Sequence, residues 1–222
     1  MTVAKFPSRK DDYDVGLWEH FCHVMGRKAG INVADTRTIM GEDYQILLSK
    51  RFDRNDSGKR IHFASALTLL GLTDGDNAST GYGYPDIVDF IIQHGSHVEQ
   101  NLEELYRRVS FYIIVGNSDD HFRNHGFLLT RKGWELSPAY DINPTLSDNQ
   151  SLLINSTTSE SDLDILLESA GEYMLSSEKA KTIIAEVKSA MKSWRSDARK
   201  LGLPQRDIDM FAHRFDTRLS RD

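Results

Sequence analysis

The chain has 222 residues, of which 39% are hydrophobic and 27% charged, and its formal net charge is -6. That length is enough to bury a core as one large domain or two small ones. No apolar run approaches the roughly 18 residues that a membrane-spanning helix needs, and the first ten residues lack the apolar centre of a signal peptide. The acidic balance argues against direct nucleic-acid binding. The single cysteine, Cys22, excludes an intrachain disulfide, and we expect a cytoplasmic protein without membrane contact.

The beginning of the chain predicts strands around one amphipathic helix. The predicted elements in order are a strand over residues 3–6, a helix over 14–29 and two strands over 32–40 and 44–52. Gly30 stands where a helix C-terminus is expected. A tight turn at 41–43 would join the two strands, and the polar stretch 55–60 indicates a loop or linker.

The rest of the chain is mainly helical in pattern. The predicted elements are helices over 86–93, Val98–Val115, 162–169, 177–201 and 204–219, and a hairpin of strands Gly126–Thr130 and 134–136. Segment 72–85 is rich in Gly, Asp, Asn and Ser and predicts an exposed loop. No internal repeat or low-complexity tract interrupts this order.

Three polar residues follow the long helix in an informative order. Asp119 is followed five residues later by Asn124, and Asp141 comes after the predicted hairpin. Phosphotransferases of the protein-kinase type order their catalytic parts in this way. Asp119 would accept the proton of the attacking hydroxyl, while Asn124 and Asp141 would hold Mg²⁺, which prefers hard oxygen ligands.

Each of these residues also has a simpler explanation when it is taken alone. Asp119 could cap a turn after the helix, and Asn124 could serve a turn. The three together favour catalysis. His121 and His125 suggest a zinc site, but that spacing needs a helix and the preceding Gly-Asn-Ser predicts a loop. We therefore group His121 with the catalytic residues as one that orders the loop.

Three further residues are candidates for nucleotide binding. Lys5 would contact the phosphates and pair with Glu19 on the first helix, and Phe52 would lie where adenine binds. A solvated lysine and a surface glutamate are the alternative for the pair, and Phe52 could equally belong to the core. The β-rich start and helical remainder then predict an α+β fold, bilobal and protein-kinase-like. Its lobes would be a remnant β-rich N-lobe over 1–52 and a mainly α-helical C-lobe over 53–222.

These motifs resemble the HipA family of bacterial serine/threonine kinases, the toxins of type II toxin–antitoxin modules. The matching residues are Lys5-Phe6-Pro7, Arg51 to Arg54, Gly116, Asp119, His121, Asn124, Pro138, Tyr140 and Asp141. The resemblance implies ATP and Mg²⁺ as cofactors and a protein substrate, often a translation component such as an aminoacyl-tRNA synthetase. It also implies an antitoxin as partner.

Two departures from the family pattern bear on activity. Only four residues precede Lys5, which leaves no room for the family's glycine-rich phosphate loop, and Lys50 replaces the usual hinge glutamate. We therefore expect a truncated kinase that depends on a complementing N-terminal protein. Two alternatives remain open. One is a catalytically silent module that binds an antitoxin or a partner lobe, and the other is a small-molecule kinase with the same catalytic residues.

Overall fold

The structure is a computed structural model, and it describes residues 1–8, 11–41, 44–55 and 57–220. The strands are β1 (Thr2–Lys5), β2 (Thr36–Met40), β3 (Gln45–Lys50), β4 (Phe63–Ser65), β5 (Gly126–Thr130) and β6 (Gly133–Leu136). The helices are α1 (Val15–Lys28), α2 (Ala66–Leu69), α3 (Tyr84–His94), α4 (Val98–Val115), α5 (Leu163–Glu168), α6 (Ser177–Met191), α7 (Trp194–Lys200) and α8 (Gln205–Ser220). Single 3-10 turns lie at Ala78–Thr80 and Ala170–Tyr173.

The first sheet is antiparallel, with strand order β1-β3-β2, and α1 packs against it. The Asp14 side chain begins α1 by accepting a 2.9 Å hydrogen bond from the Leu17 amide. Gly30 follows the helix with a φ of 81°, a conformation that glycine adopts without steric cost. Lys5 pairs in register with the buried Leu47, so both side chains point to the same face of the sheet. This arrangement directs Lys5 towards α1.

The second sheet has strand order β4-β5-β6 and contains the predicted hairpin. Gly126 begins β5 where a β-carbon would lie only 2.3 Å from the Phe63 ring of β4. The absence of a side chain there lets the two strands approach. Because β4 is only three residues long, it carries too little alternation to be predicted from sequence.

Helix α4 lies at the centre of the molecule and contacts both α6 and α8. Its last seven residues, 109–115, are all buried. Gly116 then ends the helix with a φ of 72° and turns the chain into the polar segment that contains Asp119. The Trp18 ring contacts Phe211 at 4.7 Å and Phe215 at 6.1 Å between centroids, which joins α1 to α8.

Most predicted elements are confirmed, and α4 and β5 have the predicted limits. The continuous helix predicted over 177–201 is wrong, because the chain breaks at residues 192–193 into α6 and α7. The break turns Trp194 inward against Phe215, with 4.8 Å between ring centroids. The strand predicted over 32–40 begins only at Thr36, since the Ala34 amide instead donates a 2.9 Å hydrogen bond to the Ala139 carbonyl.

In the predicted turn at 41–43, Glu42 and Asp43 lie outside the described residues. No helix within the described part of the chain is long and apolar enough to cross a membrane.

Candidate active site

Lys5 lies between two carboxylates that come from distant parts of the chain. Its Nζ donates to Glu19 Oε2 at 2.6 Å and to Asp141 Oδ1 at 2.5 Å. The Glu19 side chain is only 6% exposed, whereas those of Lys5 and Asp141 are 45% and 42% exposed. The ammonium therefore links the β1 end, α1 and the segment after β6 at the edge of a cleft.

Burial and neighbouring charges act in opposite directions on the pKa values of Lys5 and Glu19. Burial disfavours the charged form of Lys5, but the neighbouring Glu19 and Asp141 outweigh it and raise the lysine pKa. Burial also raises the pKa of Glu19, and the attraction of Lys5 only partly offsets this. Lys5 therefore favours the ionised form of Glu19 against the effect of burial.

Asp141 is held by two amide side chains in addition to Lys5. Asn124 Nδ2 donates to Asp141 Oδ2 at 2.9 Å, and Asn143 Nδ2 approaches Oδ1 at 3.3 Å. Asp141 has a φ of 58°, a left-handed conformation that aspartate tolerates better than most residues. The Asn117 side chain fixes Asn143 by accepting a 2.8 Å hydrogen bond from its backbone amide. The two predicted metal ligands are thus in direct contact.

Segment 119–124, which we call the 119–124 loop, contains both exposed and buried polar side chains. Asp119 is exposed, whereas Asp120 and Asn124 are buried. The loop closes a tight turn, because the Asn124 amide donates to the His121 carbonyl at 2.8 Å and the His121 amide donates to Asn124 Oδ1 at 3.0 Å. His121 therefore orders the loop through its main chain, and its buried Nδ1 has no partner among the described residues.

A cleft of about 560 Å³ opens beside these groups. Its wall includes Lys5, Glu19, Asp141 and an aromatic cluster in which Phe52 lies 5.6 Å from Tyr140 and 5.8 Å from Phe63 between ring centroids. The aromatic side chains and the charged groups on its wall are the two environments that a nucleotide base and its phosphates need. Neither Asp119 nor His121 lines the cleft.

The donor set suits a hard cation. Within the described residues, no three His, Cys, Asp or Glu side chains converge on a metal site. Asp141 and Asn124 instead offer one carboxylate and one amide, and Mg²⁺ completes such a pair with water and substrate phosphates. Asn124 Nδ2 faces Asp141 and its Oδ1 accepts from the His121 amide, so Asn124 would offer its oxygen to the metal only after the amide turns and gives up both hydrogen bonds.

Two groups of residues at this site were not predicted from the sequence. Asn143 contacts both Glu19 and Asp141, and its position two residues after Asp141 is the only sequence signal for it. The buried contact of Asp120 with His125 and Tyr84 was also missed, since no spacing rule connects α3 to the 119–124 loop.

A family model described as "HipA-like C-terminal domain" matches residues 1–194. The chain belongs to this family. The resemblance of its motifs to HipA is thereby confirmed, and the match includes every residue of the site described above.

Solved structures confirm the α+β kinase-like fold. HipA from Shewanella oneidensis, solved with HipB and operator DNA, has a TM-score of 0.79 and 17% identity over 98% of this chain and 56% of its own. The Helicobacter pylori proinflammatory kinase CtkA has a TM-score of 0.72 and 14% identity over 98% of this chain and 83% of its own.

Two curated relatives are named as kinases. A Haemophilus influenzae protein named "Putative kinase" is 29% identical over 98 residues, which are 41% of this chain and 29% of that protein. "Putative kinase Y4mE" of Sinorhizobium fredii is 21% identical over 173 residues, 73% of this chain and 40% of its own length. The chain thus matches well under half the length of these relatives.

Proposed function

We propose that this chain is a HipA-like serine/threonine protein kinase that transfers the ATP γ-phosphate to a protein hydroxyl. The observation that carries the proposal is the contact of Lys5 with Asp141, 136 residues away, on the wall of one cleft, together with the hydrogen bond of Asn124 to Asp141. Asp119 lies on the same loop as Asn124 but is exposed, which suits a group that must reach an acceptor on another molecule.

Each residue has a defined part in this proposal. Phe52 packs against the base, Lys5 contacts the phosphates, and Glu19 keeps Lys5 in place. Asn124 and Asp141 would hold Mg²⁺, which supplies positive charge to the phosphates when bound. Asp119 orients the acceptor hydroxyl and takes its proton, an effect typically worth ~10²–10⁴ in rate.

Calorimetric titration with ATP, with and without Mg²⁺, tests this division of roles. Asp141→Ala should remove the gain in ATP affinity that Mg²⁺ provides, whereas Asp119→Ala should keep that gain and lose phosphoryl transfer. Asp148→Ala is the matched control, because it removes an 89% exposed carboxylate that pairs with Arg214 elsewhere. Equal losses of ATP affinity in the Asp119 and Asp141 variants would contradict the assignment.

We further propose that efficient transfer needs a glycine-rich segment over the phosphates, and that a complementing N-terminal protein supplies it. Among the described residues, those lining the cleft include no glycine. The surface on which this N-terminal protein docks would include Ile39 and Ile46, which pair in register on one face of the first sheet. Leu48 lies on the same face. Strong phosphorylation of a protein by the 222-residue chain alone, abolished by Asp119→Ala, would refute this dependence.

The biological setting is proposed by analogy with the HipA relative. The Shewanella oneidensis HipA structure is that of a toxin–antitoxin complex, so we propose a toxin role with an antitoxin partner, a translation component as substrate and a cytoplasmic location. Lobe limits of 1–52 and 53–222 belong to the same proposal.

A catalytically silent binding module is the second candidate, and the absence of glycine from the described cleft lining favours it. Absence of any ATP binding by the wild-type chain would support this candidate over the kinase.

A further inference from the structure

A second carboxylate, Asp120, lies beside Asp119 and has no part in the chemistry proposed above. It is only 1% exposed, and its Oδ2 receives a 2.8 Å hydrogen bond from the Tyr84 hydroxyl. The same oxygen lies 2.6 Å from Nε2 of His125, which is fully buried. The Tyr84 ring meets the His125 ring edge to face, with 5.6 Å between centroids. Two donors from different elements thus converge on one buried oxygen.

We propose that Asp120 and His125 are positioning residues that clasp the two ends of the 119–124 loop. Asp120 directly follows Asp119, and His125 directly follows Asn124. A contact between Asp120 and His125 therefore fixes the backbone that points Asp119 outward and Asn124 towards Asp141. Tyr84 anchors the clasp to α3. This inference rests on the proposed function for the roles of Asp119 and Asn124.

The composition of the clasp argues against simple filling of the core. Asp120 Oδ1 and His125 Nδ1 are buried without a partner among the described residues, an unfavourable arrangement that an apolar pair of similar size would avoid. A charge-assisted hydrogen bond fixes direction as well as distance, which apolar packing does not. The unfavourable burial of these two atoms is consistent with a need to hold the loop in one conformation.

The segments on either side of the 119–124 loop are held by hydrogen bonds to other parts of the chain. Upstream, the Ser118 carbonyl accepts hydrogen bonds from the Ser151 amide and hydroxyl, at 2.9 and 2.8 Å. Downstream, Gly126 is already paired within the second sheet. Between these ends, the Leu67 amide donates to the Phe122 carbonyl at 3.2 Å and the Tyr140 hydroxyl donates to the Arg123 carbonyl at 2.5 Å. The side chains of Asp120 and Tyr84 add a connection from the loop to α3.

Hydrogen exchange over peptides spanning 117–126 tests the clasp without any ligand. Asp120→Asn and the milder Tyr84→Phe should each speed exchange of the loop amides by about tenfold, the usual effect of weakening a buried hydrogen bond to a charged group. Tyr106→Phe is the matched control, because Tyr106 is also fully buried and donates one hydrogen bond, to the Leu166 carbonyl at 3.2 Å. The control should leave the loop unchanged.

A uniform rise in exchange across the molecule, or a loop unaffected by Tyr84→Phe, would overturn the clasp. If Asp120→Asn does not fold, Tyr84→Phe alone decides the question.

ATP calorimetry then separates positioning from stability. In folded Asp120→Asn, the gain in ATP affinity from Mg²⁺ should fall about tenfold while Mg²⁺-free affinity is retained, as expected when a metal ligand loses its support. If exchange of the loop amides is faster in Asp120→Asn but the gain in ATP affinity from Mg²⁺ is unchanged, the positioning role is overturned. Failure of the wild-type chain to bind ATP would instead overturn the proposed function, and the exchange result would still decide whether the clasp orders the loop.

Discussion

Replacing Lys5 by methionine should lower the free energy of unfolding, because the buried Glu19 carboxylate would lose its neighbouring cation. Lys5→Met keeps an apolar side chain of similar length but removes the ammonium between Glu19 and Asp141. Glu19, 6% exposed, would then lie near the like charge of Asp141, and the Asn143 amide at 3.5 Å would remain as its side-chain donor among the described residues. Two carboxylates without a shared cation repel each other, and the more deeply buried one bears most of the cost.

The expected loss lies between two limits. Breaking a fully buried ion pair costs ~3–5 kcal/mol, and an exposed pair contributes less than ~1 kcal/mol. Because the Lys5 side chain is 45% exposed, solvent screens part of the interaction. We therefore expect a loss of about 2 kcal/mol at pH 8, roughly thirtyfold in the unfolding equilibrium.

The loss should depend on pH with a definite sign. Burial raises the pKa of Glu19 even with Lys5 present, and removing Lys5 raises it further. A carboxyl whose pKa is raised by folding binds more protons in the folded state, so its contribution to stability is greatest at low pH and is lost as pH rises through the folded pKa. The cost of Lys5→Met should therefore shrink to under ~1 kcal/mol at pH 5.

Urea unfolding followed by circular dichroism, at pH 5 and pH 8, measures this directly. The set should contain the wild type, Lys5→Met, Glu19→Gln and the double variant. Glutamine carries no charge to leave unpaired, so the double variant should recover most of the stability at pH 8. An equal loss at both pH values, or a double variant no more stable than Lys5→Met at pH 8, would refute the reasoning.

Three further predictions concern packing, pH and the nucleotide. Gly83→Ala should destabilise the fold strongly, because the new β-carbon would lie 2.3 Å from the Leu153 carbonyl oxygen. Thermal unfolding measures this loss against the control Gly171→Ala, which should be nearly neutral because its new β-carbon would meet nothing within 4 Å. Burial lowers the pKa of His23 to about 4, so stability should fall as pH drops from 6.5 towards 4 and the unfolded state alone takes up the proton. His23→Gln should reduce that slope in urea unfolding measured across this range, while the lowered pKa of His20 keeps part of it. An unchanged slope would contradict the assignment. Phe52→Ala should weaken ATP binding about tenfold with and without Mg²⁺, as loss of base stacking does, and calorimetry would contradict this if only the Mg²⁺-dependent part changed.

The sequence was informative wherever local pattern and physical cause coincide. The amphipathic spacing of residues 14–29 and the apolar end of segment 98–115 each predicted a helix with a buried surface. Both helices, α1 and α4, are present. The hairpin of β5 and β6 was predicted around the turn Arg131-Lys132-Gly133, and the two strands pair as expected. The helix predicted over 177–201 was wrong, because its break depends on the contact of Trp194 with Phe215 in a different helix.

The candidate site divides in the same way. The order of Asp119, Asn124 and Asp141 indicated phosphoryl transfer from sequence alone, because residue type and spacing limit the chemistry that such groups perform. The fold was needed to bring Lys5 within 2.5 Å of Asp141, 136 residues away, and to separate exposed Asp119 from buried Asp120. Neighbouring residues with identical side chains have the same local propensity, so only the packing of α3 against the loop distinguishes them. Sequence determined which groups are available, and tertiary structure decided which are paired, buried or open to a substrate, because those properties depend on contacts between segments distant in the chain.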